Sequence, residues 1–337
     1  VIGSGAGESR LPSLGPEVLA VDCAAEADFI ATAMRHAVAQ RIRRRGAVVA
    51  VSGGIDSALC LALTAKAVGA ERTLALLLPE RESSAASLTL GRQVAERFGV
   101  ATIVHDLTAA LEGMGAYATR DDAIRTLFPE YGPGWRSKIV IAGGLVGGYN
   151  YHNLVVAAPD GTRREARLGS KTYLTIVAAQ NHKQRLRKTM EYHHADRLHY
   201  AVVGTPNRLE YDQGFFVKNG DGAADIKPIA HLYKSQVYAL ARHLGVPDEI
   251  CTARPTTDTY SLGQTQDEFF FALPYEKMDL ALWAKNHGYS PAEVAQAAAI
   301  SAPQAEHVFR DIDMKRETTR TLHAKAVLIR PVLEIET

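Results

Sequence analysis

The apolar run Ala47-Val48-Val49-Ala50-Val51 stops at Ser52-Gly53-Gly54, and a helical pattern opens at Asp56-Ser57. Two glycines let the backbone turn sharply and aim its N–H groups into one concavity, while the helix N-terminus adds a partial positive charge. Such a turn is built to hold a polyphosphate. Asp56 would repel phosphates unless a cation lay between them, so the segment reads as a site for a nucleotide with Mg2+. No Gly-Lys-Ser/Thr follows, which excludes a Walker loop.

The rest of the chain repeats this strand–helix alternation. Apolar residues at helical spacing over 24–45 (Phe29, Ile30, Met34, Val38, Ile42) lead into the first strand, 47–52. A helix over 56–68, a strand over 73–78, a helix over 84–98 and a strand over 101–106 follow, and after a long interval a strand over 200–204 precedes further helices. Strands separated by helices of this length pair in parallel, so the expected class is α/β with a doubly wound parallel sheet of Rossmann-like type. Ligands in such sheets sit at the carboxyl ends of strands, where Ser52-Gly53-Gly54 and Gly204-Thr205 both fall.

Residues 129–177 break the pattern with short β-like runs at 138–144, 153–158 and 172–177, and Pro159-Asp160-Gly161-Thr162 suits a hairpin turn. This region reads as an inserted β-hairpin or small sheet, and the chain from 248 onward reads as helical. Residues 1–16, rich in Gly and Ser, are expected to be disordered, leaving 17–337 as a single domain.

Composition narrows the function classes. The 337 residues are 47% hydrophobic, enough for an ample core, and carry a formal net charge of +1, which offers no global case for nucleic-acid binding. Basic clusters lie at 41–45 and 183–188, of which only the second acquires a role below. Cys23, Cys60 and Cys251 are odd in number and widely spaced, against both a disulfide framework and a zinc cluster. No apolar stretch approaches the ~18 residues of a membrane span and no secretory signal opens the chain, so a reducing cytoplasm is expected.

Ser52-Gly53-Gly54-Ile55-Asp56-Ser57 resembles the pyrophosphate loop of ATP pyrophosphatases of the adenine-nucleotide α-hydrolase type, which cleave ATP to AMP and pyrophosphate. Two later segments resemble one branch of that group, the NAD synthetase family, in order and spacing. The first is Gly204-Thr205-Pro206-Asn207-Arg208-Leu209-Glu210; the second is Gly214-Phe215-Phe216-Val217-Lys218-Asn219-Gly220-Asp221-Gly222, with Pro228 beyond it. The resemblance covers roughly residues 21–316 apart from the inserted region. It implies adenylation of the carboxylate of deamido-NAD by ATP, followed by attack of ammonia to give the amide, AMP and pyrophosphate. No protein nucleophile is needed for this, in keeping with the lack of a Ser/Cys–His arrangement.

The resemblance also assigns residues. Ser52, Gly53, Gly54, Asp56, Ser57, Arg81, Thr205, Lys234 and Thr256 would bind ATP, with Arg81 near the adenosine and Thr256 in a closing loop. Asp56 and Glu210, two carboxylates beyond neighbouring strand ends, would share Mg2+ through waters and phosphate oxygens. Lys234 would neutralise the departing pyrophosphate. Arg185, in Asn181-His182-Lys183-Gln184-Arg185, would clamp the dinucleotide across a homodimer interface together with Lys218, Asp221 and Lys315. Asp221 would also hold or deprotonate the nitrogen nucleophile.

Two positions depart from the family pattern: Gln184 replaces an alanine, and Met314, beside Lys315, replaces a histidine. No glutaminase domain is recognisable, so ammonia is expected either free or from a separate glutaminase. A synthetase acting on a different carboxylic acid, and a catalytically inactive nucleotide-binding regulator, are the alternative readings. A tRNA-thiolating enzyme would need paired reactive cysteines and a basic face, which the chain lacks.

Overall fold

A computed structural model of the chain describes residues 13–142, 151–253, 260–263, 270–271, 273–332 and 334. Strand β1 (Ala47–Ala50) lies between β2 (Thr73–Leu77) and the last strand, β7 (Ala201–Val203); β3 (Ala101–Val104) pairs with β2, so the order is β3-β2-β1-β7 with every pair parallel. A second, antiparallel sheet is made of β4 (Arg136–Ala142), β5 (Tyr151–Ala157) and β6 (Arg163–Arg167), in that order.

The period-2 alternation of the strands sorts the core into two layers. Val48, Leu74, Leu76 and Val202 point to one face, where they meet Leu107 and Leu111 of the α4 segment (α4, Thr108–Gly113), Tyr117 of α5 (Ala116–Arg125) and Ala195 of α6 (Ser170–Leu198). Ala47, Val49, Ala75, Leu77, Ala201 and Val203 point the other way, into a larger cluster with α1 (Cys23–His36), α2 (Ile55–Val68) and α8 (Lys234–His243). Both faces are therefore covered, which is why β1 and β2 are continuous apolar runs. The sheet is doubly wound, as the alternation predicted.

Helix α2 is apolar almost all round, and Leu59, Cys60, Leu61 and Leu63 are fully buried because the helix runs between the sheet and its neighbours α1 and α8. Helix α3 (Ala85–Arg97) is capped by the Ser84 hydroxyl, which accepts from the Ser87 N–H at 3.1 Å. Short helices α7 (Arg208–Gln213) and α9 (Asp248–Thr252) follow β7. The helical C-terminal region comprises α10 (Tyr275–Asn286), α11 (Pro291–Ala297) and α12 (Ala302–His323), which share a separate apolar cluster built on Met278, Leu282, Val294 and Ile312.

The run 172–177 is not a strand but the first turns of the 29-residue α6. Its β-branched residues have modest helix propensity, but Ile176 at 1% exposure packs into the cluster of Ile139, Leu154 and Val156 from the antiparallel sheet, and tertiary packing overrides propensity. The turn at 159–162 does close a hairpin between β5 and β6, with Ala158 N–H donating to the Thr162 carbonyl at 2.9 Å. Of residues 1–16, those up to 12 lie outside the described residues; Leu14 packs against the C-terminal cluster and Pro16–Leu19 form a 3-10 turn. Among the described residues, no helix is long and apolar enough to cross a membrane, and the three cysteines are free thiols.

Candidate active site

Strand β1 delivers its chain into the turn Ser52-Gly53-Gly54, and the N-terminus of α2 opens directly behind it. Gly53 adopts φ +82, and a Cβ there would stand 2.6 Å from the Ser87 carbonyl oxygen, so only glycine fits the turn against α3. Ser57, in the first turn of α2, braces the loop: its hydroxyl accepts from the Ser52 N–H at 3.2 Å and donates to the Gly54 carbonyl at 3.0 Å. Above the turn lies a cavity of about 600 Å³. Ser52, Gly54, Asp56, Ser57 and Thr205 form its floor at the carboxyl ends of β1 and β7; Ser83, Ser84 and Ser87 form one wall; α6, which meets that wall where Arg187 donates to Ser83 Oγ at 3.5 Å, and the 214–221 segment form another.

The floor concentrates charge. Asp56 accepts from Asn207 Nδ2 at 3.0 Å and from the Lys234 ammonium, a pairing that spans 178 residues of sequence. Asn207 and Glu210 form a capping box at the start of α7, with Glu210 N–H donating to Asn207 Oδ1 at 3.2 Å and Asn207 N–H donating to Glu210 Oε2 at 3.1 Å. Burial, and then the nearby Asp56 charge, push the Glu210 carboxyl well above the usual carboxylate range. Burial works to lower the Lys234 ammonium, but Asp56 and Glu210 hold it above its ordinary value. Asp279 anchors the start of α8 by accepting from the Lys234 and Ser235 N–H groups at 3.1 and 2.7 Å, and burial pushes its carboxyl up to about 6.

Two carboxylates that repel each other beside an anion-binding turn suit a cation between them and a polyphosphate. Among the described residues no group of three or more His, Cys, Asp or Glu is placed to hold a metal ion. A cation here would complete its shell with water and phosphate oxygens, which is the habit of Mg2+ and not of zinc.

The far wall is a polar stripe on α6. Gln180, Asn181, Gln184, Arg185, Lys188 and Glu191 all line the cavity. Arg185 Nε donates to the Lys218 carbonyl at 3.3 Å, and Lys218 Nζ donates to the Thr321 carbonyl at 2.7 Å. Asp221 accepts from the Val217 N–H at 2.7 Å within its own loop, and burial pushes its carboxyl up against that bond and the charges of Lys188 and Arg187. Beside it, Glu191 accepts from Lys188 Nζ at 2.6 Å, and burial raises its carboxyl too, with Lys188 opposing.

The structure therefore brings Ser52, Gly54, Asp56, Ser57, Thr205, Glu210, Arg185, Lys218 and Asp221 to one cavity, with Gly53 shaping the turn and Lys234 beneath Asp56. Lys234 does not project freely toward the phosphates, because Asp56 holds it. Arg81 is not brought to this cavity: its guanidinium stacks 3.8 Å over the Tyr117 ring, bonds Glu112 at 3.3 Å and lines a separate cavity of about 690 Å³. Lys315 is not presented outward either; its ammonium bonds the Phe270 carbonyl at 2.5 Å and Asp311 Oδ2 at 2.6 Å inside its own chain. Thr256 lies outside the described residues. Sequence reasoning missed Lys188, Glu191 and Gln180, although Gln180 and Lys188 each stand four positions from Gln184, and Glu191 three from Lys188, which places them on one helix face.

The family model described as NAD synthase matches residues 26–128 and 151–321. The chain is 57% identical over 321 residues to the NH3-dependent NAD+ synthetase of Rhizobium meliloti (strain 1021), covering 95% of this chain and 96% of that protein. It is 37% identical over 239 residues to the NH3-dependent NAD+ synthetase of Thermotoga maritima, covering 71% of this chain and 79% of the other. Among solved structures, the NMN synthetase from Francisella tularensis superposes with a TM-score of 0.63 at 21% identity, over 92% of this chain and 99% of that one. The NH3-dependent NAD synthetase from Campylobacter jejuni, in complex with the nitrate ion, superposes with a TM-score of 0.60 at 18% identity, over 92% and 100%. At those identities the structural likeness speaks for the fold alone. The sequence matches run through both halves of the parallel sheet and every segment that builds the cavity, and on them the chain belongs to the NAD synthase family.

Proposed function

We propose that the cavity at the carboxyl ends of β1 and β7 makes NAD from deamido-NAD, with ATP and ammonia as co-substrates and AMP and pyrophosphate as by-products. The chain is an ammonia-dependent, AMP-forming ligase of the NAD synthase family. One observation supports this reading of the site: a glycine turn with paired carboxylates shares a single cavity with Arg185, Lys218 and the half-buried Asp221.

A carboxylate does not react with ammonia at neutral pH, because its oxygens are poor leaving groups. Adenylation removes that obstacle, and the chain's task is to place the α-phosphorus against the acid and to steady the charge that develops. The Ser52-Gly53-Gly54 turn and the α2 N-terminus hold the polyphosphate through N–H groups that need no rearrangement. Asp56 and Glu210 would hold Mg2+, which when bound supplies positive charge between the carboxylates and the phosphate oxygens. Lys234 keeps a second positive charge fixed at the floor, where pyrophosphate departs. Arg185 and Lys218 bind the dinucleotide's phosphates on the far wall, in a homodimer whose partner subunit closes that side. Asp221, with its carboxyl raised, accepts a proton from the nitrogen nucleophile as it attacks the acyl-adenylate. Ammonia arrives free or from a separate glutaminase, and three free thiols suit the cytoplasm.

The test is direct. Purified protein with Mg2+, ATP, deamido-NAD and ammonium should release pyrophosphate and AMP in equal amounts with NAD. Saturable ATP binding without pyrophosphate release on any dinucleotide carboxylate would favour a regulator instead.

A further inference from the structure

Lys183 stands in the middle of α6 with its ammonium fully buried, although lysine is among the residues least often found inside. Its Nζ donates to Glu80 Oε1 at 2.9 Å and to Glu82 Oε2 at 2.6 Å. Both glutamates lie on the loop that leaves β2 and ends in the cavity-lining Ser83 and Ser84. Each carboxylate is fixed a second time from α5: the Tyr117 hydroxyl donates to Glu80 Oε2 at 2.6 Å, and Arg120 donates to Glu82 at 2.6 Å. One turn farther along α6, Arg187 Nε donates to the Leu78 carbonyl at 3.3 Å. Helix and loop thus meet along one seam. On its cavity side the helix presents Gln184, Arg185 and Lys188, and the loop presents Ser83 and Ser84.

Stability does not require this arrangement. Burying Lys183 and Arg120 against Glu80 and Glu82 incurs heavy desolvation, and apolar residues of similar volume commonly serve stability as well or better. Four charges that cancel, each held in a fixed direction, give a rigid strut. Burial alone would raise the Glu82 carboxyl, yet Lys183 and Arg120 hold it below the usual range, so Glu82 stays charged.

We propose that Lys183 is a positioning residue: by tying α6 to the loop after β2, it sets the distance between the dinucleotide wall and the nucleotide wall of the cavity. The inference rests on the reading that the α6 wall takes deamido-NAD. A loose wall costs affinity where several groups must grip one ligand at once, because misplacement of about 1 Å already has large effects.

The experiment compares wild type, Lys183→Met and the double variant Lys183→Met/Glu80→Gln, which restores the charge balance lost in the single variant. Three quantities are read: the urea midpoint, the KM values for deamido-NAD and ATP, and deamido-NAD binding by calorimetry without ammonium. The single variant should be less stable and show a deamido-NAD KM and Kd raised about tenfold, with the ATP KM within twofold of wild type. The double variant should regain stability and keep the weakened dinucleotide binding. Wild-type dinucleotide affinity in the single variant, or recovery of affinity together with stability in the double one, would reduce Lys183 to a structural residue and overturn the proposal. If wild type bound deamido-NAD but produced no NAD, the proposed function would fail, while the binding comparison would still decide the role of Lys183.

Discussion

Asp56→Asn is the sharpest probe of the cavity floor. The amide keeps the shape of the side chain and an oxygen for Asn207 Nδ2, but it removes the negative charge that faces Lys234. The Lys234 side chain is 1% exposed and the Asp56 side chain 18%. Removing one partner of a fully buried ion pair costs about 3–5 kcal/mol. Here Asp56 is partly open to the cavity and Glu210 remains beside Lys234, so about half of that, roughly 2 kcal/mol, is the expected loss of folding stability. The catalytic loss should be larger. If the carboxylate helps to place a cation whose charge stabilisation supplies about 4 kcal/mol, turnover falls roughly 10³-fold at about 1.4 kcal/mol per factor of ten. The assay is pyrophosphate release against Mg2+ concentration, with urea denaturation of the same preparations to confirm that the variant is folded. Turnover within threefold of wild type and an unchanged Mg2+ dependence would refute the placement of the cation and with it the reading of the floor.

Other expectations concern single contacts. Gly53→Ala forces an alanine into φ +82 with its Cβ 2.6 Å from the Ser87 carbonyl; stability should drop by about 1–3 kcal/mol and ATP affinity should fall, and an alanine variant with normal ATP binding would show the turn to be tolerant. Arg185→Ala should raise the KM for deamido-NAD at least tenfold and leave that for ATP nearly unchanged; equal effects on both would move Arg185 out of the dinucleotide wall. Asp279 has a folded-state carboxyl at about 6, above its ordinary 3.8. Between about pH 4 and 6 the folded chain therefore keeps a proton that the unfolded chain has released, and stability declines as pH rises through that window. Asp279→Asn should flatten this part of the stability–pH curve, which urea midpoints at several pH values would reveal; an unaltered slope would assign it elsewhere.

Local pattern was enough for the parallel sheet. Strands with apolar residues on both faces, each followed by a helix, have one efficient way to bury themselves, and the glycine turn after β1 falls at the carboxyl end of the sheet, on the floor of the cavity. Pattern failed at residues 172–177, where β-branched residues promised a strand. Their fate was settled by partners on β4 and β5 that a local window does not contain.

What this sequence determined by itself is the parallel sheet with its covering helices and the glycine turn after β1; Asp56, Thr205, Glu210, Arg185, Lys218 and Asp221 were candidates by the resemblance of their short segments to the family, and the structure brings them to one cavity. Only the tertiary structure decided that Lys234 sits locked to Asp56, that Arg81 stacks on Tyr117 away from the cavity, that Lys315 bonds within its own chain, and that Lys183 joins two glutamates a hundred residues earlier. Those outcomes depend on which charges meet across strand order and helix packing. A buried charge must find its counter-charge wherever the fold places one, and nothing in the neighbouring residues announces where that will be.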